Sequence, residues 1–152
     1  VSERGWLDVQ QGAHIRINEY IVRSGGMKEK KDRAVTQWDD FIEQTDKRMG
    51  RLRQGIPDAA RGFAHLAKSA IAPGALDSKT KELIALAIGI TARCDGCLAY
   101  HARAAAKYGA SREEVLETIA VAVYMGGGPS MIYGAEALDA FDQLGVKAEA
   151  AE

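Results

Sequence analysis

The chain has 152 residues, of which 47% are hydrophobic and 27% charged, the size of one ordinary domain that buries about 68–70% of its unfolded surface without disulfide staples. Its 20 basic and 21 acidic side chains leave a net charge of −1, so no global field favours nucleic acid or an anionic membrane. The first residues lack a signal-peptide apolar region, and no stretch has the roughly 18 apolar residues of a membrane span, so a soluble, cytoplasmic protein is expected.

Residues 1–26 differ in texture from the rest. From His14 to Val22 the pattern alternates weakly, with Ile15, Ile17 and Ile21 on one side if extended, and helical spacing fits nearly as well. Ser24-Gly25-Gly26 makes a flexible joint before Met27. Residues 1–26 are therefore read as an N-terminal arm packing on the subunit or its neighbour, residues 27–146 as the domain and 147–152 as a tail.

From Lys28 onward the apolar period is helical. Ala34, Val35, Trp38, Phe41, Ile42, Met49 and Leu52 fall largely on one stripe of a long amphipathic helix, whose charged opening Lys28-Glu29-Lys30-Lys31-Asp32-Arg33 reads as a solvated face. A second helix carries Ile56, Ala60, Phe63, Leu66 and Ala70, with Pro57 in its first turn and Ala72-Pro73-Gly74 closing it. Asp77 or Ser78 can cap a third, which through Ile90 is apolar nearly all round and is expected to be the core. A fourth begins near Cys94 and ends at Tyr108-Gly109, where glycine suits the left-handed conformation past a helix end. Ser111-Arg112-Glu113-Glu114 reads as the capping box of a fifth. That helix breaks at Gly126-Gly127-Gly128-Pro129, and a sixth follows with Met131, Ile132, Ala135, Leu138 and Phe141. The glycine run is no phosphate loop, because no Gly-Lys-Ser/Thr follows and no strand precedes it.

The only two cysteines are Cys94 and Cys97, with His101 four residues beyond the second and Glu82 twelve residues before the first. A Cys-x-x-Cys pair at a helix start brings two sulfurs within disulfide reach, and the unpaired backbone N–H groups there stabilise a thiolate. In a reducing compartment such a pair reads as catalytic, redox-sensing or metal-binding. Cys94, Cys97 and His101 at i, i+3 and i+7 share one helix face, and a chain reversal near Ala92-Arg93 would bring Glu82 alongside.

Lowering a thiol pKa from about 8.5 to about 7 raises its thiolate fraction at pH 7 about sixteenfold. Reduced nucleophilicity takes back about fivefold, leaving about threefold. A positioned acid or base contributes about 10²–10⁴-fold, so a Glu82–His101 proton relay matters more than the thiolate itself.

Glu82, Cys94, Cys97 and His101, spaced Glu-x11-Cys-x2-Cys-x3-His, resemble the motif of the AhpD-like, or carboxymuconolactone decarboxylase-like, superfamily. The resemblance runs roughly from Leu76 to Leu144. It implies an all-α bundle of about six helices assembling through helical interfaces as dimers, trimers or hexamers. It also implies alkyl hydroperoxide reduction or thiol–disulfide exchange, with electrons returned by a dithiol partner such as a lipoyl group or a thioredoxin-like protein. Carried over, Cys97 attacks and Cys94 resolves, whereas helix-end logic alone favours Cys94 as the more exposed thiol. Gly96 departs from the pattern, since peroxidase members often carry a polar or histidine side chain there; the departure favours disulfide exchange over peroxide turnover. No cofactor and no resident metal is expected.

Blander readings stand beside these. Cys94, Cys97, His101 and Glu82 could supply four zinc ligands, although a carboxylate is less usual at a structural site. A lyase acting on a carboxylated muconolactone could use His101 as acid/base with the cysteines incidental, and a non-enzymatic scaffold could dock partners through residues 1–26. His65, beside Phe63 and Leu66, reads as a core or interface histidine. Tyr100, Trp6 and Trp38 read as packing aromatics, His14 carries no role, and the charges of Arg93 and Asp95 offset one another.

Overall fold

The computed structural model describes residues 37–149, with side chains through residue 145. They form six helices: α1 (Trp38–Gly55), α2 (Pro57–Ile71), α3 (Ser78–Ala92), α4 (Asp95–Lys107), α5 (Arg112–Gly126) and α6 (Gly128–Glu149). No strand occurs among the described residues, so the fold is the expected all-α bundle. The arm of residues 1–26, the charged run 28–33, Ala34, Val35 and residues 150–152 lie outside the described residues.

Helix α3 packs on α4, α5 and α6, helix α6 packs also on α4 and α5, and α1 packs on α4 and α6. The inward residues of α4 are small: Ala99, Ala102 and Ala105 are fully buried, which lets α3 and α6 approach it closely. Leu86 and Ile90 from α3, Val115 from α5 and Phe141 and Leu144 from α6 close the core around it. Trp38 is buried and joins α1 to α6: its Nε1–H donates to Asp139 Oδ2 at 3.0 Å and its backbone N–H to Gln143 Oε1 at 3.2 Å. A half-buried ion pair, Lys79 with Glu114, joins α3 to α5, and an exposed one, Arg112 with Asp142, joins α5 to α6.

The helix boundaries follow local chemistry. Asp77 accepts the Thr80 N–H at 2.7 Å and caps α3. Both halves of the Ser111–Glu114 capping box are formed at the start of α5. Gly109 ends α4 at φ 79°, as its position predicts. The glycine run is a helix-to-helix turn in which Gly127, at φ 68° and ψ −158°, is the single residue between α5 and α6.

Two expectations about burial are corrected. Helix α2 has no buried residue, and Phe63 and Leu66 are 68% and 62% exposed. Periodicity identifies an apolar side but not what covers it, and α2 meets only its chain neighbours α1 and α3. His65 is accordingly exposed, not a core residue. Helix α3 is not buried all round: Leu86, Gly89 and Ile90 face inward, while Ile84 and Ile88 lie on the surface. Leu52, on the α1 stripe, is also exposed.

Candidate active site

The site is built on the reversal between α3 and α4. Arg93 takes the left-handed conformation at φ 56°. The Arg93 N–H donates to the Ile90 carbonyl at 3.2 Å and the Cys94 N–H to the Gly89 carbonyl at 3.1 Å, the paired bonds of a Schellman motif. The turn is short enough that α4 starts at once and runs back along α3 as a packed neighbour.

Cys94 is the N-cap of α4, and its Sγ accepts the Cys97 N–H at 3.2 Å. Caps of helices are normally oxygen acceptors; here sulfur takes that position. Cys94 and Cys97 are joined by a disulfide with their Cα atoms 5.2 Å apart. Both are half-buried, so the pair can be approached from solvent.

One turn beyond Cys97 on α4, His101 Nδ1 lies 2.7 Å from Oε2 of Glu82 on α3. Glu82 is 6% exposed and His101 half-buried. A buried carboxylate is costly without a partner, and the imidazole supplies one. With the proton on Nδ1 donated to Glu82, the second ring nitrogen is left as an acceptor, and the carboxylate fixes both tautomer and ring orientation. The expected Glu82–His101 contact is therefore formed, and the cysteine pair sits on the same helix as the histidine.

Gly89, seven residues after Glu82 on α3, faces Cys97. A β-carbon built there would lie 3.0 Å from Cys97 Cβ and 3.7 Å from Leu98 Cδ2. Tyr100 is more than a packing aromatic: its hydroxyl donates to Asp46 Oδ1 at 2.6 Å, joining α4 to α1, and the Arg103 guanidinium stands 5.4 Å over its ring. Burial first, then the Asp46 carboxylate, pushes the Tyr100 phenol above its ordinary value. Arg93 precedes the pair and Asp95 lies between its two cysteines, and both are exposed.

Both sulfurs are engaged in the disulfide, and among the described residues no group of three or more His, Cys, Asp or Glu side chains is disposed to hold a metal ion. No helix among the described residues is long and apolar enough to cross a membrane. Sequence reasoning missed Gly89 and the left-handed Arg93. The signal for the first is a glycine seven residues from the glutamate on the same helix face; Arg93 gives none, because turns of this kind normally carry glycine.

Comparison with known proteins agrees with this geometry. The sequence pattern of the Carboxymuconolactone decarboxylase family matches residues 57–140. An uncharacterised protein of Cupriavidus necator is 36% identical over 103 residues, covering 68% of this chain and 91% of that one. The structure of a carboxymuconolactone decarboxylase family protein from Legionella pneumophila is similar at 43% identity and a TM-score of 0.70, covering 72% of this chain and 97% of that one. A Thermotoga maritima family member, for which a part in antioxidative response has been suggested, is similar at 29% identity and a TM-score of 0.64, covering 74% of this chain and 96% of that one. By the match across more than half its length and by its likeness to solved members, the chain belongs to the carboxymuconolactone decarboxylase family.

Proposed function

We propose that the protein is a thiol-dependent oxidoreductase that cycles Cys94 and Cys97 between dithiol and disulfide, with Glu82 and His101 as its proton relay. The observation that carries this reading is the disulfide at the head of α4, one turn from a histidine held by a buried carboxylate. The Glu82–His101 pair would suit a lyase as well, but the disulfide has no part in one that leaves its cysteines idle.

In the peroxide half-reaction the Cys97 thiolate attacks one oxygen of a hydroperoxide and the O–O bond breaks. Cys97 becomes a sulfenic acid, and the leaving alkoxide takes from the outer ring nitrogen of His101 the proton that this nitrogen had accepted from the Cys97 thiol, and departs as an alcohol. The Cys94 thiol then attacks the Cys97 sulfur, the disulfide forms and water leaves. One hydroperoxide is reduced by two electrons and one dithiol is oxidised.

A small dithiol, such as a lipoyl group or the cysteine pair of a thioredoxin-like protein, reverses the disulfide by attacking the Cys97 sulfur and expelling Cys94. The Cys97 N–H directed at Cys94 Sγ, together with the N-terminal field of α4, favours Cys94 as the departing thiolate. With Gly96 between the cysteines, the same cycle run on a partner disulfide is the competing task.

The test is alkylation and mass spectrometry of the reduced protein before and after hydroperoxide. Loss of two hydrogens across Cys94 and Cys97 is expected; cysteines that stay alkylatable under oxidant in the native protein would overturn the proposal. A variant with both cysteines as serine separates it from the lyase reading, since turnover of a carboxylated muconolactone would survive that change.

A further inference from the structure

Gly89 touches both cysteines by different atoms. Its carbonyl accepts the Cys94 N–H at 3.1 Å, and its α-carbon is so close to α4 that a methyl group there would meet Cys97 Cβ at 3.0 Å and Cys97 backbone carbon at 3.6 Å. Glycine in a helix interior carries an entropic cost relative to alanine. Gly134 lies as close to a facing helix, its β-carbon position 2.7 Å from Ile119 Cγ2, but the atom that faces Gly89 belongs to a cysteine, and that is what sets its contact apart.

We propose that Gly89 is the positioning residue of the redox pair, setting where Cys97 sits relative to Cys94 and thereby the equilibrium between dithiol and disulfide. The inference rests on the thiol-redox reading for its purpose but not for its test. The geometry gives the reason. Cys94 is tied to α3 through its amide, while Cys97 rests against α3 through its β-carbon, so a methyl group at position 89 pushes one cysteine and leaves the other anchored. Cys97 Cβ cannot swing aside, because it is fixed to the backbone of α4 on one side and to the disulfide sulfur on the other. In the dithiol the two side chains move independently and the displacement is absorbed. In the disulfide it is not, so the added methyl disfavours the oxidised form.

Glu82 stands seven residues earlier on the same face of α3 and reaches His101, one turn beyond Cys97. The separation of α3 and α4 is thus shared by the cysteine contact and the carboxylate–imidazole contact. Widening it at Gly89 loosens both.

The experiment equilibrates the full chain and its Gly89→Ala variant with graded ratios of reduced and oxidised dithiothreitol and reads the disulfide fraction by alkylation and mass spectrometry. Gly89→Ala is expected to shift the equilibrium about tenfold toward the dithiol, a potential less negative by ~30 mV. Gly134→Ala is the control: a β-carbon there meets Ile119 Cγ2 at 2.7 Å and no cysteine, so it should lower the melting temperature and leave the potential unchanged. A Gly89→Ala potential equal to that of the parent, or an equal shift in Gly134→Ala, overturns the inference.

Should Gly89→Ala not fold, hydrogen exchange of the Cys94 amide in the unmodified protein decides. Protection in both redox states is expected, and exchange at the rate of an open loop in the dithiol overturns the proposal. A protein that turns over neither hydroperoxide nor disulfide would sink the proposed function while these equilibrium measurements still report on Gly89.

Discussion

Glu82 and His101 meet across the α3–α4 pair with Oε2 and Nδ1 2.7 Å apart, the carboxylate buried and the imidazole partly open to solvent. The arrangement has an inner end that holds and an outer end that exchanges protons. Replacing His101 by alanine should slow hydroperoxide-driven oxidation of the cysteine pair by about 10²-fold or more, the contribution of a positioned acid. Glu82→Gln retains a hydrogen-bonding group but removes the charge that sets the tautomer, and should slow the same step by at least about tenfold. Single-turnover alkylation at several pH values measures both, and rates within twofold of the parent would remove the relay from the mechanism.

The two cysteines should be separable by chemistry. Cys94→Ser leaves a Cys97 that is oxidised once and not resolved, so a dimedone adduct is expected at Cys97 after one equivalent of hydroperoxide. Cys97→Ser should abolish oxidation and yield no adduct at Cys94. The opposite labelling would make the helix-capping sulfur the attacking one.

Acid should weaken the fold in a defined window. The Lys79 ammonium, followed by the Ser111 N–H, holds the Glu114 carboxyl below its ordinary 4.5, and hydrogen bonds from Thr80 hold Asp77 below its ordinary 3.8. The unfolded chain binds protons at the ordinary values while the folded one still resists them, so the stabilisation is complete above about pH 4.5 and drains away as pH falls through the lowered folded values. Glu114→Gln should have a lower melting temperature than the parent at neutral pH, and the difference should close in strong acid. Thermal melts from pH 7 to pH 3 test this, and parallel curves would refute it.

Arg93 takes a left-handed conformation at φ 56°, which costs a side-chain-bearing residue about 1–2 kcal/mol. Glycine adopts it freely but loses more entropy on folding, so Arg93→Gly should be a net gain of about 0.5–1 kcal/mol. A melting temperature raised by a few degrees, with the helical spectrum unchanged, is expected.

Most of this fold is legible because its helices are locally signalled. Asp77, the Ser111–Glu114 box and Gly109 mark boundaries by side chains that bond, or bend, the backbone next to them. The Glu82–His101 contact is legible for a related reason: a reversal as short as Arg93–Cys94 leaves two antiparallel neighbours little choice of register. What escapes is whatever depends on a second surface. The apolar sides of α2 and α3 are visible as a period, but Phe63, Leu66, Ile84 and Ile88 are exposed because nothing in the described residues lies over them. Gly89 escapes because a glycine within an apolar helical run looks like a weak spot until the facing cysteine is seen.

Helix α2, with 15 residues and none of them buried, has a consequence for how this protein meets proteases. A helix this short is marginal in water without packing, so it opens far more often than the core around α4. Among the described residues, trypsin should therefore cut first at Arg61 or Lys68, both exposed, and leave the α3–α6 bundle whole at early times. Whatever settles on Phe63 and Leu66 will slow that cleavage in proportion to its saturation, which makes the digestion pattern an assay for occupants of this face.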